Sequence, residues 1–156
     1  MRIDVIAVGR LKERFWEDAC AEYLKRLKGY AQVTVREVPD RDPATHGGVA
    51  AARQAEARDL MRVLPARTFT VVLDRCGRET SSEDTAELLR SLQIDGQSHV
   101  AFVVGGSTGV SEAVTDKAGL LLSFGPLTLP HNLARVVLLE QIYRAFKILR
   151  NEPYHK

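Results

Sequence analysis

The last four residues, Pro153-Tyr154-His155-Lys156, set three kinds of chemistry side by side. An aromatic ring can stack on a nucleobase, an imidazole can carry a proton, and an ammonium group can meet a phosphate. Chain ends usually fray, so a disordered tail is the alternative interpretation of the same residues. These four residues predict an active site that acts on RNA only if other segments of the sequence indicate the same function.

Residues 105–109, Gly-Gly-Ser-Thr-Gly, lie between a predicted strand and a predicted helix. Glycines at such a place let the backbone turn tightly and let a ligand approach its N–H groups. The spacing is neither G-x-G-x-x-G nor G-x-x-x-x-G-K-[ST], so neither common phosphate-binding loop is predicted. A tight connection without a ligand fits this segment equally well.

Residues 124–130, Phe-Gly-Pro-Leu-Thr-Leu-Pro, form an apolar stretch without helical periodicity. Gly125-Pro126 bends the chain, and Pro130 fixes it just before a helix. Leucines on a stiffened, bent loop suit a flat aromatic ring such as adenine, whose edge could bond to free backbone groups. A buried crossover loop is the alternative.

Six residues have side chains that often bind metals: His46, His99, His131, His155, Cys20 and Cys76. None of them has the spacing C-x-x-C or H-E-x-x-H, so no metal site is predicted. No serine stands in G-x-S-x-G. His99, at the start of an apolar strand, is predicted to be structural.

Apolar runs alternate with amphipathic stretches along the chain. The patterns predict strands near residues 3–8, 33–38, 68–73, 99–104 and 120–123, and helices near residues 13–28, 49–64, 83–93, 111–117 and 132–150. Residues 74–77 are predicted to be a turn, and Thr80 with Glu83 a capping box. This order indicates an α/β fold with a mainly parallel sheet, in one domain spanning residues 1–156, with strand 33–38 at an edge.

Ligands of parallel α/β sheets bind beyond the carboxyl ends of the strands. The loops after Leu73, Val104 and Ser123 are therefore the candidate binding loops.

The predicted last helix is apolar on more than one face, which favours packing on the sheet and against a second copy of the chain. Glu140 and Arg144 are spaced as an i,i+4 ion pair. From residue 131 onward there are five Lys or Arg and two Asp or Glu. Arg135 and Lys156 belong to this basic set, and we expect both to contact RNA phosphates.

The overall composition sets few limits on function. The 156 residues carry a formal net charge of +2, which neither requires nor excludes a nucleic acid. No signal-peptide pattern and no run of about 20 apolar residues is present, so we expect a cytoplasmic protein without a membrane span.

Several segments closely match one known family: IDVIAVG, FTVVLD, FVVGGSTGV, SFGPLTLPHNLARVVLLEQIYRAFKI and the final PYHK. Through them the whole chain resembles the ribosomal RNA large-subunit methyltransferase H family, of the SPOUT class of methyltransferases. The resemblance implies a Rossmann-like, mainly parallel sheet with a C-terminal trefoil knot. It also implies S-adenosylmethionine as cofactor, a homodimer that shares its active site across subunits, and N3 methylation of a pseudouridine in 23S rRNA on the assembled ribosome.

The same resemblance assigns site residues by matching position. The implied cofactor contacts are Leu73, Gly105, Phe124, Gly125, Pro126, Leu127, Thr128 and Leu129. The C-terminal signature of the family maps to Arg144, Tyr154 and His155, with Lys156 where a basic residue is expected. We expect His155 to act as the base, Arg144 or Lys156 to stabilise an anion, and Tyr154 to stack on the flipped-out base.

Two other functions are weighed against this one. A nucleotide-binding oxidoreductase could use residues 105–109, but it would lack both G-x-G-x-x-G and the acidic residue that follows such a motif. A non-catalytic ribosome-associated module could keep the fold, but the intact PYHK tail argues against it.

Overall fold

A computed structural model describes residues 1–155 of the chain. In order, its elements are β1 (Arg2–Val8), α1 (Arg14–Leu27), β2 (Gln32–Val38), α2 (Val49–Val63), β3 (Phe69–Glu79), α3 (Ser82–Ile94), β4 (His99–Val104), α4 (Glu112–Thr115), β5 (Leu120–Ser123) and α5 (His131–Leu149).

The strands form one sheet in the order β2-β1-β4-β3-β5, and every neighbouring pair is parallel. Strand β2 lies at an edge, as predicted. Alternating strands and helices give this outcome because a parallel connection needs a crossover, and each crossover helix covers a face of the sheet. The Rossmann-like α/β architecture is confirmed, while the threading of a knot stays a prediction.

Successive residues of each central strand point to opposite faces, so the sheet carries two cores. On β1, Ile3 and Val5 face the core formed with α1, α3 and α5, while Ile6 and Val8 face the core formed with α2 and α4. The helices that follow the strands are thereby fixed on both faces, and the loops between them are held at the sheet's rim.

The prediction of a turn at residues 74–77 was wrong, because β3 continues beyond it. Leu122 of β5 pairs with Leu73 and again with Arg78, so the residues between them bulge out of the ladder. Gly77 permits this bulge, since a Cβ there would lie 2.6 Å from the backbone carbon of Leu121. A bulge can accommodate polar residues inside a strand, and in the sequence such residues look like a turn.

The capping box at the start of α3 lies one residue later than predicted. Ser81 is the N-cap: its hydroxyl accepts the Asp84 N–H at 3.0 Å, and the Asp84 carboxylate accepts the Ser81 N–H at 3.1 Å. The sequence offers a hydroxyl and an acidic residue in both registers, so spacing alone did not distinguish them.

A buried carboxylate lies on β1, near the end of the sheet where the strands begin. Asp4, on β1, pairs with His99 of β4 at 2.5 Å and with Arg36 of β2 at 3.0 Å. His99 therefore has the structural place predicted for it. Within residues 1–155, no helix is long and apolar enough to cross a membrane, and no group of His, Cys, Asp and Glu is arranged to hold a metal ion.

Candidate active site

Three residues, on β3, β4 and β5, stand in one row across the sheet. Leu73 of β3 pairs with Val104 of β4 on one side and with Leu122 of β5 on the other. The bulge of β3 and the segments after β4 and β5 therefore lie next to one another. That these segments bind a ligand stays a prediction.

The glycine segment, residues 105–109, is folded into a tight turn. A Cβ on Gly105 would lie 2.6 Å from the Val110 side chain and 3.2 Å from the backbone carbon of Gly109. Gly109 has a φ of +78°, and its N–H donates to the Gly106 carbonyl at 3.1 Å. Because only glycine fits at Gly105 and is unstrained at Gly109, the segment presents backbone rather than bulky side chains.

The buried hydroxyl of Ser123 ties the loop after β5 to the bulge of β3. Its Oγ accepts the Gly125 N–H at 3.2 Å and lies 3.4 Å from the Arg75 carbonyl and 3.3 Å from the Gly125 carbonyl, to which it can donate. Gly125 has a φ of +97°, which favours glycine. The sequence analysis missed Ser123; its signal was a polar residue ending an otherwise apolar strand.

The remainder of that loop leaves apolar surface and backbone groups available. The side chain of Leu127 is 76% exposed. Among residues 1–155, the N–H groups of Leu127, Thr128 and Leu129 donate no hydrogen bond. Apolar side chains beside unused backbone donors match what a planar heteroaromatic ligand would bind to.

Tyr154 and His155 fold back onto α5 and form a polar cluster, the tail cluster, with Glu140, Arg144 and Glu83. Glu140 accepts hydrogen bonds from Arg144, at 2.9 and 2.6 Å, and from the Tyr154 hydroxyl, at 3.1 Å. The Arg144 guanidinium carbon lies 4.7 Å from the centre of the Tyr154 ring. His155 Nε2 lies 2.7 Å from a carboxylate oxygen of Glu83, and its Nδ1 lies 3.4 Å from Arg144 Nη1.

These contacts match donors with acceptors in the cluster. A carboxylate only accepts and a guanidinium only donates, so Nε2 of a neutral His155 donates to Glu83 and its Nδ1 accepts from Arg144. The hydrogen bond from Arg144 to Glu140 raises the pKa of Arg144, which stays cationic. Burial first, then the hydrogen bonds with Tyr23 and Glu140, raise the pKa of Tyr154 to about 12.

The structure thus brings Arg144, Tyr154 and His155 together, and adds two carboxylates, Glu140 and Glu83. From the sequence, Glu140 was predicted only as an ion-pair partner and Glu83 only as a capping-box residue. Glu83 belongs to the first turn of α3, so only the folded chain brings it to the tail.

Arg135 does not reach a surface that RNA could contact, contrary to the sequence-based expectation. Its side chain is 1% exposed, and its guanidinium donates to Glu37 at 2.5 Å and to the Gly9 carbonyl at 2.8 Å. It therefore fastens the start of α5 to the ends of β1 and β2. Lys156, also predicted to meet RNA, lies outside the described residues.

The three candidate loops and the tail cluster are separate groups of residues within one chain. Among residues 1–155, no side-chain hydrogen bond or ion pair joins Arg144, Tyr154 or His155 to residues 73–77, 105–109 or 124–129. A site that uses both groups is therefore not linked by such contacts in a single subunit.

Two kinds of comparison with known proteins each match nearly the whole chain. A family model described as "Predicted SPOUT methyltransferase" matches residues 1–155. A protein of Pelotomaculum thermopropionicum named ribosomal RNA large subunit methyltransferase H is 47% identical over 157 residues, covering 98% of each chain.

Two further relatives carry the same name. The protein of Desulforamulus reducens is 45% identical over 159 residues, covering 100% of this chain and 99% of its own. That of Listeria welshimeri is 47% identical over 159 residues, covering 100% of both. The chain therefore belongs to the SPOUT methyltransferases and, within them, to the ribosomal RNA large subunit methyltransferase H family.

Proposed function

We propose that this protein is an S-adenosylmethionine-dependent methyltransferase that acts on N3 of a pseudouridine in 23S rRNA. Its substrate is the assembled ribosome, and it works as a cytoplasmic homodimer. The observation that carries the proposal is the pairing of Leu73 with Val104 and with Leu122, which brings the β3 bulge and the segments after β4 and β5 together in the parallel sheet. Relatives named as large-subunit rRNA methyltransferases support the choice of substrate.

The residues of the three loops fit the cofactor. Leu73, Leu127 and Leu129 offer apolar surface to an adenine ring, with Phe124 and Pro126 shaping the bend. Gly105, Gly125 and Thr128 complete the set with backbone N–H and C=O groups. When bound, S-adenosylmethionine supplies an electrophilic methyl group on a sulfonium sulfur.

The tail cluster suits the removal of a proton from the target base. An imide N3–H must lose its proton before or during attack, and the imidazole of His155 is the candidate base. The cationic guanidinium of Arg144 stabilises the anion that results, and Lys156 provides a second positive charge. The Tyr154 ring, held by Glu140, stacks on the base and orients it.

Substituting His155 tests the role of the base. We expect His155→Ala to lower the methylation rate by roughly 10²–10⁴-fold, as for loss of a general base, and to remove a limb of its pH profile. Glu13→Ala, on an exposed residue outside the site, is the matched control. An unchanged rate and pH profile in the His155 variant would exclude His155 from this role.

The small net charge of +2 per chain offers little general attraction for RNA. We therefore propose that the enzyme reads a preformed ribosomal surface, and we expect activity on ribosomal particles and negligible activity on naked rRNA. Efficient turnover on a bare oligonucleotide would contradict this part of the proposal.

The reaction and its target are tested together by mass spectrometry of 23S rRNA. Cells lacking the protein should miss one methyl group, on a single pseudouridine, and the gene supplied in trans should restore it. An identical modification pattern in both strains would refute the proposed function.

A further inference from the structure

Glu56 is a buried carboxylate immediately behind the glycine segment. It lies on α2 and is 4% exposed. Its Oε1 accepts the backbone N–H of Arg41 at 2.8 Å, whereas its Oε2 is buried and has no hydrogen-bond partner among residues 1–155. A Cβ placed on Gly106 would lie 3.5 Å from Oε2.

The charges around Glu56 do not complete its hydrogen bonding. Burial is the main cause of the raised pKa of Glu56, and the charge of Asp40 adds to it, while Arg41 and Arg53 act in the opposite direction. The guanidinium of Arg41 is engaged with Asp59 at 2.5 Å. A buried carboxylate with an unused oxygen is costly unless a donor or a cation meets it.

Gly106 lies beside this oxygen without a side chain of its own. It packs closely, since a Cβ there would lie 2.9 Å from the Val8 side chain. On the same segment, the hydroxyl of Thr108 is likewise buried without a partner among the described residues. Two unsatisfied polar atoms, Glu56 Oε2 and Thr108 Oγ1, therefore belong to or border one proposed cofactor loop.

We propose that Glu56 Oε2 binds the α-ammonium group of the amino-acid end of S-adenosylmethionine, at the inner side of residues 105–109. An ammonium group supplies both the positive charge and the N–H donors that the carboxylate lacks. The assignment rests on the proposed cofactor, and it makes Glu56 a binding residue rather than a support of the fold.

Calorimetry with two neutral-sulfur analogues tests the assignment. S-adenosylhomocysteine and 5′-methylthioadenosine share the adenosine and a thioether, but only the first carries the amino-acid end. We expect wild-type protein to prefer S-adenosylhomocysteine by at least about tenfold, and Glu56→Gln to remove about tenfold of its affinity while leaving that of 5′-methylthioadenosine unchanged.

A matched variant separates binding from structure. Asp59→Asn changes another acidic residue of α2, and we expect it to leave both affinities unchanged. The urea midpoint of Glu56→Gln should stay at or above that of the wild type, because the substitution removes a desolvated charge. Equal weakening of both ligands, or of neither, would overturn the assignment.

A second measurement needs no substitution, so it stands even if Glu56→Gln fails to fold. S-adenosylhomocysteine with its amine replaced by hydrogen should bind the wild type about tenfold more weakly than the parent compound. Equal affinity of the two would overturn the role of Glu56 and leave the proposed function intact. A wild-type protein that binds no adenosyl compound would overturn the proposed function itself.

Discussion

Asp4 shows how a charged residue is accommodated inside the sheet. Burial raises the pKa of Asp4, but hydrogen bonds from His99 and Arg36, together with their charges, lower it by more, so the net shift is downward. A carboxyl with a lowered pKa stabilises the fold above its ordinary pKa, and this contribution is lost as the pH falls through the lowered value.

Removing that charge should therefore destabilise the protein in a pH-dependent way. We expect Asp4→Asn to cost about 1–3 kcal/mol at pH 7, the range for a buried group that loses its partner. The deficit should shrink as the pH falls below about 4, because Asp4 of the unfolded wild-type chain then takes up a proton that the folded state does not. Urea unfolding at pH 7 and at a pH below 4 measures this loss of stability, with the exposed Asp18→Asn as control. An equal deficit at both pH values would contradict the account.

The pKa of Tyr154 is shifted in the opposite direction, and this shift affects stability at alkaline pH. Its pKa is raised from 10.0 to about 12, so the neutral phenol stabilises the docked tail fully below pH 10 and loses this effect as the pH rises toward 12. Absorbance at 295 nm should show a late-titrating tyrosine in the wild type that is missing from Tyr154→Phe. If the two proteins differ by a tyrosine titrating near pH 10, the tail is not docked as described.

At the scale of elements, the alternation of apolar and amphipathic segments was enough to predict the five strands, the five helices and the rim where the loops meet. It was not enough for β3, since the polar residues 74–77 read as a turn and only pairing with β5 carries the strand past them. The prediction that Arg135 contacts RNA was wrong for a related reason. The sequence indicates an exposed cation on a helix, whereas Glu37 and the Gly9 carbonyl, which are distant in sequence, enclose it in the folded chain.

The close approach of β3 to β5 can be tested through Gly77. A methyl group there would lie 2.6 Å from the Leu121 backbone carbon, so we expect Gly77→Ala to cost about 1–3 kcal/mol, as for other overpacked sites. Gly29→Ala is the control, because a Cβ at Gly29 meets nothing within 4 Å. Equal urea midpoints for the two variants would mean that the bulge is not packed in this way.

At the scale of the whole molecule, no side-chain hydrogen bond or ion pair among residues 1–155 joins the tail cluster to the loops, and we propose that a second subunit completes the site. Half-buried apolar residues on α5, including Val136 and Tyr143, leave surface for such a partner. The positions of the loops followed from sequence patterns. The sequence patterns did not predict whether the tail cluster contributes to the site of its own chain or to that of a partner subunit.

Mixing two inactive variants tests whether the site is shared. Gly105→Val should block the loops, and His155→Ala should disable the tail. If exchange is random and sites form between subunits, the mixture should regain roughly a quarter of wild-type activity, since half of the dimers are mixed and each has one intact site. No recovery after exchange, verified by sedimentation, would place each tail with its own loops.

The central claim is that the three aligned loops bind the methyl donor, and NMR of ¹⁵N-labelled protein tests it most directly. On addition of S-adenosylmethionine, the largest amide shifts should fall in residues 73–77, 105–109 and 124–129, and saturate at one ligand per chain. The absence of any shift at saturating donor, or shifts confined to the amino edge of the sheet near Arg2 and His99, would contradict the claim.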